Sequence, residues 1–356
     1  MKQLIKGSLH NVETQIWLKL IIVFVLLFML IGDTSAQILD YATDIRLSAD
    51  VRAFLKEVNK GAGLETMSAN DARKVLEDAQ SGAKVDLSGI TISDKIISSG
   101  GYKVKLKIVR PEGAKGILPV FIFIHGGGWV LGDFPTHERM VRDLVVESGF
   151  VAVFVDYTRT PDAAYPQAIN EIYTALQWVS EHGSEIQVDG KKLAVIGNSV
   201  GGNMTGVMSL MAKAKHGPEI KLSIMLWPIV DANFDTESYK AYGDQRYLTK
   251  ATMMWMYDMY IPDPEKRKDI YASPLRATVD QLKGLPPTLI FTAENDVLRD
   301  EGEAYGRKLD EAGVPEVTVR YNGMIHDWGL LNGLANTPQT KSLFIRCGAE
   351  LKRYLK

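Results

Sequence analysis

Only one cysteine, Cys347, occurs in the 356 residues, so no disulfide can close within the chain and no cysteine-built metal site exists. The 41 Lys and Arg residues are interspersed with 43 Asp and Glu and form no long basic run. Nothing in that pattern can track a phosphate backbone, which removes nucleic acid as a partner. Repeats and low-complexity stretches are missing too, and with 46% apolar and 24% charged residues disorder is excluded. No apolar run reaches the roughly 20 residues that a membrane-spanning helix needs. The longest, "LIIVFVLLFMLI" from Leu20 to Ile31, is shorter.

That short run does have a recognisable setting. Lys2, Lys6 and Lys19 precede it, and "GDTSAQ" follows with small residues at Thr34 and Ala36. A positive segment, an apolar segment and a small-x-small site predict a signal peptide over residues 1–36, cleaved after Ala36. The protein is then exported, periplasmic or secreted, with no stable membrane insertion after cleavage. An uncleaved N-terminal anchor is the alternative.

Past the leader, residues 37–85 read as a helical segment. Val51, Phe54, Leu55 and Val58 share one face of a first helix; a second starts at "SAND", where Ser68 and Asp71 fit a capping box, and runs through Val75 and Leu76. "ITISDKIIS" and "YKVKLKIVRP" then alternate as a half-exposed strand pair. From there the pattern becomes short, continuously apolar runs separated by helical stretches, as in a buried parallel sheet with crossover helices. The runs end at Ile124, Val155, Gly197, Trp227, Thr292 and Tyr321. With the leading pair they predict an eight-stranded mixed sheet. Residues 232–283 interrupt the alternation and contain "TKATMMWMYDMYIPDP", a helix stopped by Pro262 and Pro264. One catalytic domain, residues 86–356, is therefore expected, with a cap made of the N-terminal helices and this insertion. The Met and aromatic side chains of the insertion read as cap core, with the lining of a substrate pocket as the other reading.

Ligands of open parallel sheets bind beyond the carboxyl ends of the strands, so the residues just after each run come first. "GNSVGG" places Ser199 in a Gly-x-Ser-x-Gly between a buried strand and a helical stretch, where flanking side chains would collide with neighbouring backbone. A serine hydroxyl needs a base, and the base needs an orienting group. His326 follows the last run. Asp296 follows the fifth and is favoured as the acid, with Asp231 as rival; Asp300 reads as part of a helix start, and Asp327 as too close in sequence to turn back onto its neighbour's ring. After the first run comes "HGGGW", whose glycines Gly126, Gly127 and Gly128 expose backbone N–H groups suited, with that of Val200, to an oxyanion. A phosphate loop would need a lysine next, and Trp129 stands there.

Together, His125 to Trp129, Asp156-Tyr157 with Pro161, Gly197 to Gly202, Asp296 in "NDVLRDEG" and His326 resemble the hormone-sensitive-lipase-like branch of the α/β-hydrolases, bacterial esterase family IV. The resemblance covers residues 90 to 356. It implies the α/β-hydrolase fold, a mostly parallel eight-stranded sheet with helices on both faces and a helical cap. It also implies a metal-free, cofactor-free two-step acyl transfer on small carboxylic esters with short or medium acyl chains. By the same resemblance Gly127, Gly128 and Val200 are the favoured oxyanion donors, and His125 and Asp156 are structural. The chain departs from the family at Asn198, where an acid or threonine is usual, at Val200, where alanine is usual, and in "DYTRTPD". An amidase, a deacetylase of sugar or polymer esters, and a non-catalytic binding protein are the competing readings. Cys347 reads as packing inside a C-terminal helix.

Overall fold

The computed structural model describes residues 40–356; the predicted signal peptide and its cleavage site lie outside the described residues. Apolar runs become strands because both faces of the sheet are covered. In β3 (Leu118–Ile124), Val120, Ile122 and Ile124 enter one core, while Phe121 and Phe123 enter the other. Alternation still operates, but it sorts residues between two interiors instead of between interior and water. The same division runs through β4 (Val151–Asp156) and β5 (Val188–Asn198). β6 (Leu222–Leu226), β7 (Thr288–Asn295) and β8 (Glu316–Ile325) continue the sheet.

β1 (Ile90–Ser99) and β2 (Tyr102–Pro111) supply the antiparallel edge, giving eight strands in the order β1-β2-β4-β3-β5-β6-β7-β8. All pairs from β4 onward along that order are parallel. β8 runs to Ile325, four residues past the end of its apolar run, because Gly323 takes φ +79° and the pairing with β7 shifts register there. His326 therefore sits directly at a strand end.

Five helices among the described residues cover the sheet, one of them α8 (Arg299–Glu311), whose Tyr305 and Leu309 meet Met225 of β6 and Ile290 of β7. α3 (Phe134–Ser148) and α9 (Pro338–Leu355) pack on the core that holds Phe121 and Phe123; α4 (Gln167–His182) and α5 (Val200–Ala214) pack on the other. Cys347 is fully buried in α9, and burial pushes its thiol pKa up, so it is packing and not a nucleophile.

Over the carboxyl ends lie α1 (Ala49–Val58), α2 (Ala69–Ser81), α6 (Glu237–Tyr242) and α7 (Lys250–Tyr260). Ser48, Ser68, Thr236 and Thr249 each accept a backbone N–H at their starts. α7 stops at Tyr260 because Ile261, preceding Pro262, is forced out of helical geometry. One reading needs correction. The Ser68–Asp71 pair is half a capping box, since Ser68 Oγ, not its backbone N–H, donates to the Asp71 carboxylate. α2 buries Ala72, Leu76 and Gln80, leaving Val75 42% exposed. The N-terminal segment is tied to the cap insertion by an ion pair, Asp44 with Arg246 at 2.9 Å, with both side chains buried. Among the described residues no helix is long and apolar enough to cross a membrane.

Candidate active site

Ser199 occupies the single residue between β5 and α5, at φ 55° and ψ −119°. That conformation is costly for any residue with a Cβ and persists only where the surroundings enforce it. They do so through close backbone approach: a Cβ on Gly197 would strike the Gly201 carbonyl, and one on Gly201 would strike the Ile124 carbonyl. The turn is thus wedged between β3 and α5, and the hydroxyl is presented above the strand ends.

His326 Nε2 lies 3.0 Å from Ser199 Oγ, and His326 Nδ1 lies 2.8 Å from Asp296 Oδ2. With Nδ1–H donating to the carboxylate, Nε2 is left as the acceptor for the serine proton. Asp296 is held in turn by the Leu298 N–H on Oδ1 at 3.0 Å. All three side chains are nearly inaccessible, at 4%, 2% and 1% exposure for Ser199, His326 and Asp296. Burial disfavours the imidazolium, yet the charges of Asp296 and Asp327 outweigh it and raise the His326 pKa above 6.5. The structure brings these three residues together, and Asp231 is elsewhere, paired to Arg276 at 2.6 Å. Asp300, in the first turn of α8 (Arg299–Glu311), accepts the N–H of Ser238 and so anchors α6.

The glycine loop holds two open N–H groups instead of three. Gly126 N–H donates to Asn198 Oδ1 at 2.9 Å and is not available to an oxyanion, which corrects its place among the donors. Gly127 and Gly128, at φ +103° and +62°, and Val200 at the start of α5 take no N–H partner among the described residues. Trp129 closes the loop by stacking on Tyr260 of α7 with ring centroids 4.3 Å apart. Met256 fills the space over Gly128, so part of the Met and aromatic stripe borders the site, while Met253 and Tyr257 are buried in the cap.

His125 is structural. Its ring stacks on Tyr157 at 4.1 Å, Nδ1 bonds the Gly126 carbonyl, and burial lowers its pKa well below 6.5. Tyr157 also donates to the His125 carbonyl, so Tyr157 fastens the loop; the Asp156 side chain makes no hydrogen bond among the described residues.

A second network escaped the sequence reading. Asp327 takes φ +60°, which swings its carboxylate back until Oδ2 is 3.8 Å from His326 Nε2. Its other oxygen accepts from Trp227 Nε1 at 2.6 Å and Asn198 Nδ2 at 3.2 Å. Asn198 had been visible only as a departure from the family pattern, and nothing in the sequence joins it to a residue so far along the chain. No group of three or more His, Cys, Asp or Glu side chains among the described residues is arranged to hold a metal ion.

A serine, aspartate and histidine in this chain order beyond a parallel sheet, facing two free glycine N–H groups, define the class of acyl-transfer hydrolases. Residues 121–330 match the family described as alpha/beta hydrolase fold, and the chain belongs to that family, in its hormone-sensitive-lipase-like branch. The crystal structure of a thermostable esterase from Pseudomonas putida ECU1011 is 55% identical, covering 88% of this chain and 99% of that one with a TM-score of 0.87. Carboxylesterase NlhH from Mycobacterium tuberculosis is 31% identical over 76% of this chain and 84% of its own length. Ethyl acetate hydrolase of Pseudomonas putida is 28% identical over 79% of this chain and 92% of its own. By fold and relationship the protein is a carboxylic ester hydrolase.

Proposed function

We propose that the protein is an exported serine carboxylesterase that cleaves small esters of short or medium acyl chains through an acyl-enzyme. The observation that carries the reading is the continuous hydrogen-bonded line from Asp296 through His326 to Ser199, beneath the open N–H groups of Gly127, Gly128 and Val200. Ser199 Oγ attacks the ester carbonyl carbon while His326 Nε2 takes its proton, and the three N–H groups donate to the oxyanion. The tetrahedral adduct collapses as His326 returns the proton to the departing alcohol oxygen. Water then attacks the acyl-enzyme, giving its proton to His326, and the acid leaves as Ser199 recovers its hydrogen. Asp296 holds the ring and stabilises its charged form in both halves.

Two observations favour a small acyl group. Val200 is fully buried beside the nucleophile, and Met256 packs onto Gly128. A relative named for ethyl acetate hydrolysis fits the same size class.

The test is a series of p-nitrophenyl esters from acetate to palmitate, with p-nitroacetanilide as the amide control. Turnover is expected to peak at about six carbons or fewer, with each methylene beyond the fit lowering kcat/KM by roughly tenfold or more. A maximum at palmitate, or faster cleavage of the anilide than of the acetate, would overturn the substrate class. Export follows from Lys2, Lys6 and Lys19 before the Leu20–Ile31 run and Ala36 after it. N-terminal sequencing of protein from the periplasm or medium is expected to begin at Gln37; a cytoplasmic protein beginning at Met1 would contradict it.

A further inference from the structure

Asn198 lies next to the nucleophile, yet its side chain points away from Ser199 and makes two bonds of opposite sense. Oδ1 accepts from Gly126 N–H at 2.9 Å, and Nδ2 donates to Asp327 Oδ1 at 3.2 Å. An acceptor facing one way and a donor facing the other is what a carboxamide offers and a carboxylate does not. The fit is tight, since a Cβ on Gly126 would meet the Asn198 amide. Gly126 is the peptide from which the Gly127 and Gly128 donors hang, so its anchor sets where those donors sit over Ser199.

Asp327 is fixed just as firmly. Trp227 Nε1 and Asn198 Nδ2 converge on one oxygen, and its own carbonyl accepts from the Leu330 and Leu331 N–H groups, which holds the left-handed turn. Aspartate tolerates that backbone better than most residues. The other oxygen is held 3.8 Å from His326 Nε2, on the nitrogen that faces Ser199 and opposite to the one bonded by Asp296. A buried negative charge there favours the imidazolium formed in each half-reaction.

We propose that Asn198 and Asp327 are a matched pair of positioning residues. The Asn198 amide ties the oxyanion loop to the Asp327 carboxylate, and that carboxylate supplies a second charge beside His326. The match is one of chemistry: an acid at 198 would turn an oxygen toward Asp327 Oδ1 and set two buried carboxylates against each other. The proposal rests on Ser199 and His326 acting as described above.

The titratable groups facing this pair are few. His326 faces Asp296 and Asp327; Asp327 also feels His137 of α3 and Tyr247 of the cap insertion. Burial lowers the His137 pKa to about 4 and raises that of Tyr247, so both are neutral near pH 7. The acid limb of kcat/KM in the wild-type enzyme therefore reports His326, placed above pH 6.5 because activity requires the neutral ring and the folded pKa is raised.

Asn198→Asp, Asp327→Asn and the double variant provide the test, with p-nitrophenyl butyrate as substrate and thermal melting recorded for each. Asp327→Asn keeps an oxygen for Trp227 and for Asn198 but removes the charge, so its acid limb moves to lower pH and kcat falls a few-fold. Asn198→Asp moves the limb to higher pH and lowers kcat by about tenfold, with KM changed less than about twofold. In the double variant the charge–charge repulsion is gone, although two oxygens still face each other: Asp327→Asn, harmful alone, raises kcat part of the way back on the Asn198→Asp background and returns the limb toward the wild-type position. Additive losses with an unmoved acid limb would overturn the proposal, whatever the melting temperatures. Should Asn198→Asp not fold, an unmoved limb in Asp327→Asn alone would overturn it. A failure of the underlying site would look different, because Ser199→Ala would then retain activity.

Discussion

Ser199→Ala is expected to lower kcat on p-nitrophenyl butyrate by on the order of 10⁵ to 10⁶-fold while the protein keeps its fold. The size follows from what the alanine removes and what it leaves. Gone is the oxygen that attacks and becomes the acyl carrier, so His326 and Asp296 have no partner to activate. The Gly127, Gly128 and Val200 N–H groups remain and still stabilise a tetrahedral adduct formed by water, which keeps a residual of roughly 10³-fold over solution. Stopped-flow release of nitrophenol should show a burst in the wild type and none in the variant, and mass spectrometry should find the acyl group on the peptide that carries Ser199. A folded variant with more than about 1% of wild-type kcat would assign the chemistry to another residue.

For Asp296→Asn the expected loss is about 10⁴-fold in kcat, nearly as large although no reacting atom is touched. The carboxylate accepts His326 Nδ1–H at 2.8 Å and so leaves Nε2 free to accept from Ser199. An asparagine can turn its amide toward Nδ1, which drives the ring into the other tautomer, with Nε2 carrying hydrogen and unable to take the serine proton. Asp327 does not replace the lost acid, because it sits on the Nε2 side of the ring. The same butyrate assay decides it: a loss smaller than about tenfold would mean that the orienting role lies elsewhere.

How far the sequence carries a reader depends on how local the physics is. β3 and β5 were legible because both covered faces demand apolar side chains, a property written in the run itself. Ser199 was legible because its backbone strain needs Gly197 and Gly201, two residues away on either side. The two misreadings share a cause of the opposite kind. Gly126 was counted as a donor because its N–H looks as free as those of Gly127 and Gly128, and only the Asn198 side chain, brought in by β5, uses it. Asp327 was dismissed because adjacent side chains normally diverge, and the left-handed turn that reverses this is fastened by Trp227 from the end of β6.

The near-complete enclosure of Ser199 and His326 has a kinetic meaning. With 4% and 2% of their surfaces exposed, both groups react largely out of bulk water, beside a loop covered by Trp129, Tyr260 and Met256. An ester carbonyl that reaches Ser199 leaves most of its water behind, so the Gly127, Gly128 and Val200 N–H groups act on the developing oxyanion with more force than the same groups would have in open solvent.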